Sequence, residues 1–279
     1  MMRASSAGAE RQIMTAHVEA RQDNHLSLPA PSQIAADISR DGFCIYKHAI
    51  AESVVIELRR FWLDFFNTNK ADRKFVRGKI YLGESNFNSY SEINEWCMYR
   101  HFDFLWNQCD HPLTRAVNLE LHRHRNLAQN FDPLDGLNYN DRNYGIYIST
   151  SYYPPGKGFL RAHVDAHQDT PLLHYMLPLT FKGQDYQTGG LVCADASGTM
   201  VDVDAKMSAG DIVFFDGRQK HGVEKIVSSS GVGRLAIFAI PTFFLRDTSL
   251  GVTKRSLLIS AHELADRLHL KSVLKGLKK

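Results

Sequence analysis

Residues 144–165 read YGIYISTSYYPPGKGFLRAHVD. The first ten residues are rich in aromatic and β-branched side chains, and the Pro-Pro-Gly-Lys-Gly that follows favours a turn, so the stretch predicts one β-strand leading into another. The second predicted strand ends in His163 and Asp165. These two residues are two positions apart and therefore project from the same face.

More short alternating or apolar runs follow, punctuated by Gly, Pro, Asp and Ser. They are HYMLPLTF (174–181), GGLVCAD (189–195), TMVDVD (199–204), DIVFFDG (211–217), HGVEKIV (221–227) and RLAIFAIPTFF (234–244). Many short strands at this spacing predict a double-sheet sandwich or barrel such as a jelly roll, that is, a double-stranded β-helix. The fold class is therefore mainly β with flanking helices (α+β).

The region before residue 144 predicts helices and one strand. Residues 41–50 alternate and predict a strand. Apolar residues at three- and four-residue spacing predict a helix over 51–69 and a second over 112–130. The inward positions are expected to be Val55, Leu58, Trp62 and Phe65 in the first helix, and Leu113, Ala116, Leu119 and Leu127 in the second.

Residues 82–107 are polar, aromatic and weakly periodic. A long connection of this kind predicts either a binding loop or lid, or an irregular surface segment packed by its own aromatic residues.

The chain is expected to form a single domain over residues 28–279, preceded by a disordered tail at 1–27. Within the domain we expect a helical N-terminal part (28–140), a jelly-roll core (141–246) and a C-terminal helix (255–277). That last helix is amphipathic and could serve a homodimer contact.

Composition limits the function classes. The 44% hydrophobic and 23% charged residues are ordinary for a soluble globular protein. A net charge of +3 gives no reason to expect nucleic acid or a membrane as partner, and no apolar run approaches the roughly 18–20 residues that span a bilayer. The four cysteines are scattered without a CxxC pair, which predicts reduced, mostly buried thiols and a cytoplasmic location.

His163, Asp165 and His221 form a candidate metal site. A histidine and a carboxylate on one strand can bind one ion from one side, and a histidine from a facing strand can complete the set. Two histidines and one carboxylate are the facial triad of non-heme iron(II) oxygenases, which leaves positions open for cosubstrate and oxygen. No cysteine accompanies the set, which disfavours structural zinc.

Arg234 lies thirteen residues after His221 inside an apolar predicted strand. A buried arginine needs an anionic partner because an unpaired buried charge is very costly. A dicarboxylate cosubstrate bound bidentately would supply one. A structural salt bridge is the alternative.

With these motifs in place, the sequence resembles the iron(II)/2-oxoglutarate dioxygenase superfamily over roughly residues 144–245, in particular its phytanoyl-CoA and prolyl hydroxylase-like branches. The resemblance implies Fe(2+), 2-oxoglutarate and O2 as cofactors, with His163, Asp165 and His221 as metal ligands. It also implies that Arg234 and Tyr153 contact 2-oxoglutarate, and Gly189-Gly190-Leu191 is similar to the family's turn before a core strand. The sequence departs from the family at Ala236, where many members have a serine that contacts the cosubstrate.

Substrate-binding residues are less defined. HVDAHQD contains a second HxD, at His167 and Asp169, and the first is preferred because its flanks are strand-like. His167 and Gln168 are then candidate substrate contacts near the metal. Arg161, on the same face as His163 by parity, could bind a substrate carboxylate or pair with a nearby acid.

The expected function is hydroxylation of an aliphatic C–H in a small polar molecule, such as an amino-acid derivative or natural-product intermediate. Succinate and CO2 would be released. The alternatives are a cupin-type metal-binding jelly roll (isomerase, cosubstrate-independent dioxygenase or sensor) and a non-catalytic β-sandwich binding module. A nucleic-acid demethylase is disfavoured because the chain has no concentrated basic surface.

Overall fold

The computed structural model describes residues 26–74, 87–93, 95–105, 109–134, 144–165 and 173–243. The helices are α1 (Pro31–Asp41), α2 (Glu52–Thr68) and α3 (Pro112–Ala128), and a one-turn 3₁₀ helix spans Asp204–Lys206. The strands are β1 (Phe43–Tyr46), β2 (Arg73–Lys74), β3 (Phe87–Ile93), β4 (Cys97–Leu105), β5 (Tyr144–Tyr153), β6 (Phe159–His163), β7 (Leu173–Pro178), β8 (Thr188–Ala194), β9 (Met200–Asp202), β10 (Ile212–Asp216), β11 (His221–Val227) and β12 (Arg234–Phe243).

The strands pair in the order β1-β10-β7-β12-β5-β4-β6-β11-β8-β9. Every pair along this path is antiparallel, and β4 pairs with β5 through one part of its length and with β6 through another. The sheet therefore curls into two facing halves, β1-β10-β7-β12-β5 and β6-β11-β8-β9. This is the predicted double-stranded β-helix, and the predicted fold class is confirmed.

Each half has one face toward the barrel interior, and the alternation along β12 shows which. Ala236 packs in the interior cluster with Val213 and Leu191, whereas Leu235 and Ile237 pack with the helices on the outside. Arg234 has the parity of Ala236 and so belongs to the interior face.

The prediction for residues 82–107 was wrong in both of its forms within the described part of this segment. β3 and β4 form an antiparallel hairpin there, with Ser89 opposite His101 and Ser91 opposite Tyr99. Strand alternation was not recognised because the inward face of the hairpin is polar rather than apolar.

The helix predicted over 51–69 is confirmed as α2, with Val55, Leu58 and Trp62 buried. Phe66 is buried in place of Phe65, which packs at the margin of the same cluster. The two positions are adjacent in the sequence, and both side chains contact the same hydrophobic cluster, so the predicted buried face of α2 is correct except at this position.

The helix predicted over 112–130 is confirmed as α3, but its predicted inward face was wrong. Ala116 and Leu127 are exposed, and Leu113 and Leu119 are only partly buried. The helix buries Val117 and Leu121 together with polar residues, which are Thr114, Asn118, His122, Arg125 and Asn126. Periodicity of apolar residues misplaced the face because the buried polar side chains have hydrogen-bond partners, such as Tyr175 Oη, which donates to Asn118 Oδ1 at 2.9 Å.

At the N-terminal end, the last two residues of the predicted disordered tail, Leu26 and Ser27, pair with the segment before α2. Leu26 forms a β-bridge with Ile50, and the backbone N–H of Ser27 donates to Ala49 O at 2.7 Å. The strand predicted over 41–50 is β1, which occupies only its middle. The rest of the predicted tail and the predicted C-terminal helix at 255–277 lie outside the described residues.

All four cysteines are buried and none is in a disulfide, as the sequence predicts. Among the described helices, none combines the length and the apolar character needed to cross a membrane.

Candidate metal centre

His163 is the last residue of β6 and His221 the first of β11, and the two are directly opposite each other in the antiparallel pair. Their ring centroids lie 4.5 Å apart. Asp165 follows β6 by two residues, and its backbone N–H donates to Gly217 O at 2.9 Å. One ligand atom from each of the three side chains lies within 4.8 Å of the others. The structure thus brings together the three residues predicted from the sequence.

In both His163 and His221, the hydrogen bond made by Nδ1 leaves Nε2 as the nitrogen that can bind a metal. His163 Nδ1 lies 3.0 Å from Arg161 O, and His221 Nδ1 lies 2.9 Å from Gln219 O. A carbonyl oxygen can only accept, so each Nδ1 carries a proton, and each ring in its neutral form presents the lone pair of Nε2. Both Nε2 atoms face the Asp165 carboxylate, at 3.4 Å and 3.8 Å.

The protonation states of these residues suit metal binding. Burial lowers the pKa of His221 to about 4, so the ring is neutral at pH 7. Burial opposes ionisation of Asp165, but the imidazoles of His163 and His174 outweigh it and hold the pKa of that carboxyl below its usual range. Two neutral imidazoles and one carboxylate form a donor set that fits iron(II).

His174 is part of this centre and was not predicted from the sequence. Its Nε2 lies 2.9 Å from Asp165 Oδ2 and its Nδ1 lies 3.3 Å from Ala239 O, and its ring lies against Phe215 and His221. Gly217 makes the contact possible, because a Cβ there would lie 2.5 Å from His174 Nε2 and 2.8 Å from Asp165 Oδ2. His174 begins the run HYMLPLTF, where a strand-initial histidine gives no signal of its own.

Arg234 is buried as predicted, but its partner is a residue of the protein. The guanidinium donates from Nε to Asp204 Oδ2 at 2.6 Å and from Nη2 to Asp204 Oδ1 at 3.1 Å. This is the structural salt bridge that the sequence left open as an alternative. The need of a buried cation for an anion is therefore met without a ligand.

Asp204 is held by further donors. It accepts from Tyr186 Oη at 2.6 Å and from the backbone N–H of Leu191 at 2.8 Å. Gly190 has a φ of 110°, and a Cβ there would lie 2.4 Å from Asp204 Oδ2. The Gly189-Gly190-Leu191 turn singled out in the sequence therefore makes room for Asp204.

Tyr153 is buried beside Arg234. The Arg234 Cζ atom lies 5.7 Å from the centre of the Tyr153 ring, and that ring stacks on Tyr99 at 5.1 Å. Burial raises the pKa of the Tyr153 hydroxyl, so it stays protonated at neutral pH. Ala236, two residues beyond Arg234, is buried in the interior cluster.

Arg161 is exposed, and its guanidinium lies over the exposed Trp96 ring, 5.8 Å from the centroid. No ion pair of Arg161 with an acidic side chain occurs within the described residues, and its contact with a substrate carboxylate stays a prediction. His167, Gln168 and the second HxD, with Asp169, lie outside the described residues.

Comparison with known proteins gives structural likenesses only. No protein-family model matches the chain. No curated protein matches it either. Many solved structures share its fold, including the following three. A prolyl-4-hydroxylase from Pseudomonas putida is 20% identical over 78% of this chain and 100% of that chain, with a TM-score of 0.51. A prolyl hydroxylase from Trichoplax adhaerens, in complex with a hypoxia inducible factor oxygen degradation domain peptide fragment, is 14% identical over 85% and 92% of the two chains, with a TM-score of 0.51. AviO1 from Streptomyces viridochromogenes Tue57 is 15% identical over 77% and 96%, with a TM-score of 0.50.

Proposed function

We propose that this chain is an iron(II)- and 2-oxoglutarate-dependent oxygenase that hydroxylates an aliphatic C–H bond of a small polar molecule, with release of succinate and CO2. The observation that carries the proposal is the convergence of two Nε2 lone pairs and one ionised carboxylate, from His163, His221 and Asp165, on one point at the end of the barrel. Two of the structures that share this fold are prolyl hydroxylases by name.

Bound iron(II), together with 2-oxoglutarate and O2, would supply the redox chemistry of the hydroxylation. The protein's own residues prepare its site. The carbonyls of Arg161 and Gln219 hold the two imidazoles in the ligating tautomer, and His174 orients the Asp165 carboxylate by hydrogen bonding to Oδ2. Three ligands on one side leave the other side of the metal for cosubstrate and oxygen.

Arg234 and Tyr153 are the proposed contacts of 2-oxoglutarate. Asp204 occupies the Nε and Nη2 edge of the guanidinium, and Nη1 has no hydrogen bond within the described part of the chain. A cosubstrate carboxylate would therefore meet the Nη1 end of an arginine whose charge is already compensated. We expect the resulting affinity for 2-oxoglutarate to be lower than a free buried arginine would give.

Arg161, His167 and Gln168 are proposed to contact the substrate. Support from the structure exists for Arg161, which shares the strand of His163 and lies over Trp96 where both side chains are open to solvent. A guanidinium held over an aromatic ring offers a planar, cationic surface to an acidic or flat substrate group.

A second candidate function is a cupin-type metal-binding jelly roll, acting as an isomerase, a cosubstrate-independent dioxygenase or a sensor. Two observations favour it. Arg234 is paired with Asp204 through Nε and Nη2, as a structural arginine would be, and a third histidine, His174, lies beside the three candidate ligands.

The experiment that decides between the two is an anaerobic titration of the full-length protein with iron(II) and 2-oxoglutarate, monitored by the visible metal-to-ligand charge-transfer band. The oxygenase proposal predicts a band in the wild type, none in His221→Ala, and an unchanged band in His124→Ala, a histidine on α3. Arg234→Lys keeps a cation beside Asp204 but removes the guanidinium fork, and should weaken 2-oxoglutarate binding while iron binding persists.

Iron binding by the wild type without a 2-oxoglutarate-dependent band would favour the cupin-type function and make Arg234 a structural residue. No iron binding at all would contradict both candidates.

A further inference from the structure

The inward faces of β4 and β5 carry a polar surface, formed by His101, Asp103, Ser149 and Ser151, that we call the β4–β5 polar face. Asp103 is directly opposite Ser149, and His101 directly opposite Ser151. On the other side of β5, Ser149 and Ser151 are opposite Phe238 and Ala236 of β12. Both of those residues belong to the interior cluster, so the β4–β5 polar face also points into the barrel.

Three oxygen atoms of this face are buried without a hydrogen-bond partner. They are Asp103 Oδ1, Ser149 Oγ and Ser151 Oγ. The residues are 3%, 1% and 0% exposed. A buried polar atom without a partner costs free energy, and a carboxylate oxygen more than a hydroxyl. Among the described residues, the folded protein therefore keeps one carboxylate oxygen and two hydroxyl groups without partners at neighbouring inward positions of β4 and β5.

Asp103 is held in place by a hydrogen-bonded network rather than by chance packing. Its other oxygen, Oδ2, accepts from Nδ1 of His101. The Nε2 atom of His101 lies 3.1 Å from Ser89 Oγ and 3.2 Å from Ser91 Oγ on the neighbouring strand β3. The Asp103 carboxylate is therefore fixed through Oδ2, whereas its Oδ1 atom has no hydrogen-bond partner within the described residues.

The unsatisfied atoms define the chemistry of their ligand. A primary ammonium group has three N–H donors and one positive charge, which match two hydroxyl oxygens and one carboxylate oxygen. A carboxylate ligand would be repelled by Asp103. Arg234 also lies on this interior surface, but its charge is compensated by Asp204 and does not oppose a cation. We infer that the β4–β5 polar face binds a primary ammonium group.

The inference makes the proposed function more specific. The binding of an ammonium group does not depend on that function, but calling the ligand a substrate does. The face points into the same barrel that carries His163, Asp165 and His221, so a ligand whose ammonium group binds there is a candidate substrate. The substrate class is then a small primary amine, which includes amino acids and their derivatives.

The inference is tested by calorimetric titration of the full-length, metal-free protein with two matched pairs of probes. n-Butylammonium chloride is compared with n-butanol, and 6-aminohexanoate with 6-hydroxyhexanoate, which carries a hydroxyl in place of the ammonium group. We expect the wild type to bind the ammonium member of at least one pair at least about tenfold more tightly than its partner, since one charge-assisted hydrogen bond contributes that much.

Three variants locate the binding. Asp103→Asn keeps the shape of the side chain and removes its charge, and Ser149→Ala/Ser151→Ala removes both hydroxyls; each should weaken ammonium binding about tenfold or more. The matched control is Thr150→Val. Thr150 Oγ1 is equally buried and unpartnered, but Thr150 is opposite Ile237 and faces the helices, so binding should be unchanged.

The ligand-free double serine variant gives a second readout. If the hydroxyls exist to bind a ligand, their removal should leave the melting temperature equal to that of the wild type or higher. A lower melting temperature, together with no preference for ammonium, would show that buried water satisfies the face and would overturn the inference.

The two proposals fail separately. A 2-oxoglutarate-dependent band without ammonium binding leaves the oxygenase proposal standing and refutes the amine site. Ammonium binding that is lost in Asp103→Asn, in a protein without such a band, establishes the amine site and refutes the oxygenase.

Discussion

Arg234 and Asp204 form a two-point ion pair inside the barrel, with both side chains almost wholly removed from solvent. Each ion would be very costly to bury alone, and each is stabilised mainly by the other. Tyr186 and the backbone of Leu191 supply further donors to Asp204. The pair is therefore a structural element in its own right, whatever ligand reaches the free end of the guanidinium.

Removal of one member of the pair should cost more than removal of both. Arg234→Met leaves the Asp204 carboxylate buried and uncompensated, and we expect a loss of about 3–5 kcal/mol in the free energy of unfolding. Arg234→Met/Asp204→Leu should recover most of that loss. Urea denaturation of the metal-free protein measures both. The control is Arg40→Met, an exposed arginine paired with Asp37 and Asp41, whose loss should cost about 1 kcal/mol or less.

The same pair predicts a pH dependence. Burial raises the pKa of Asp204, but Arg234 outweighs it, and the net pKa lies below the ordinary value of 3.8. A depressed carboxyl pKa stabilises the fold above the unfolded value, and the contribution is lost as the pH falls through the folded value. The stability difference between wild type and Asp204→Asn should therefore shrink below about pH 4. The free energy of unfolding of both proteins is measured as a function of pH, and a difference that stays constant down to about pH 3 would contradict this.

The metal site could be predicted from the sequence because two of its residues are close together in the sequence and on one strand. His163 and Asp165 share a strand face by alternation, and His221 begins a strand that an antiparallel barrel places beside them. The partner of Arg234 could not be predicted in this way. Asp204 precedes it by 30 residues and sits in a 3₁₀ turn whose position depends on the closed barrel.

His174 and the β4–β5 polar face were missed for a related reason. Both are polar positions on inward strand faces, where pattern reasoning expects apolar residues. A polar residue at such a position looks like a loop signal in the sequence, and only the register between strands shows that several of them meet. The inward face of α3 was misplaced by the same assumption.

The orientation of α3 gives a direct test of that correction. Leu121 is fully buried, whereas Leu127 is 42% exposed although the sequence predicted it to face inward. Leu121→Ala should lower the free energy of unfolding by about 2–5 kcal/mol because it leaves a cavity, and Leu127→Ala by about 0.5 kcal/mol or less. Chemical denaturation measures both. Similar losses for the two variants would mean that α3 is rotated from the orientation described.

Gly217 should prove as important to the metal centre as a ligand, because it leaves the space in which His174 meets Asp165. A Cβ at residue 217 would lie 2.5 Å from His174 Nε2 and 2.8 Å from Asp165 Oδ2, closer than real contacts allow. Gly217→Ala must therefore push the imidazole away from the carboxylate. Since groups that orient metal ligands typically contribute 10–100-fold to metal affinity, we expect a loss of about that size in iron(II) affinity, measured by anaerobic competition with a chelator.

A double-mutant cycle separates this effect from general damage to the fold. If Gly217→Ala acts through His174, it should cost little more in a His174→Ala background, where the hydrogen bond is already gone and the ring no longer fills the space. Additive losses in iron(II) affinity would show that the added methyl acts on Asp165 or on the backbone of the 216–219 turn, and not through His174.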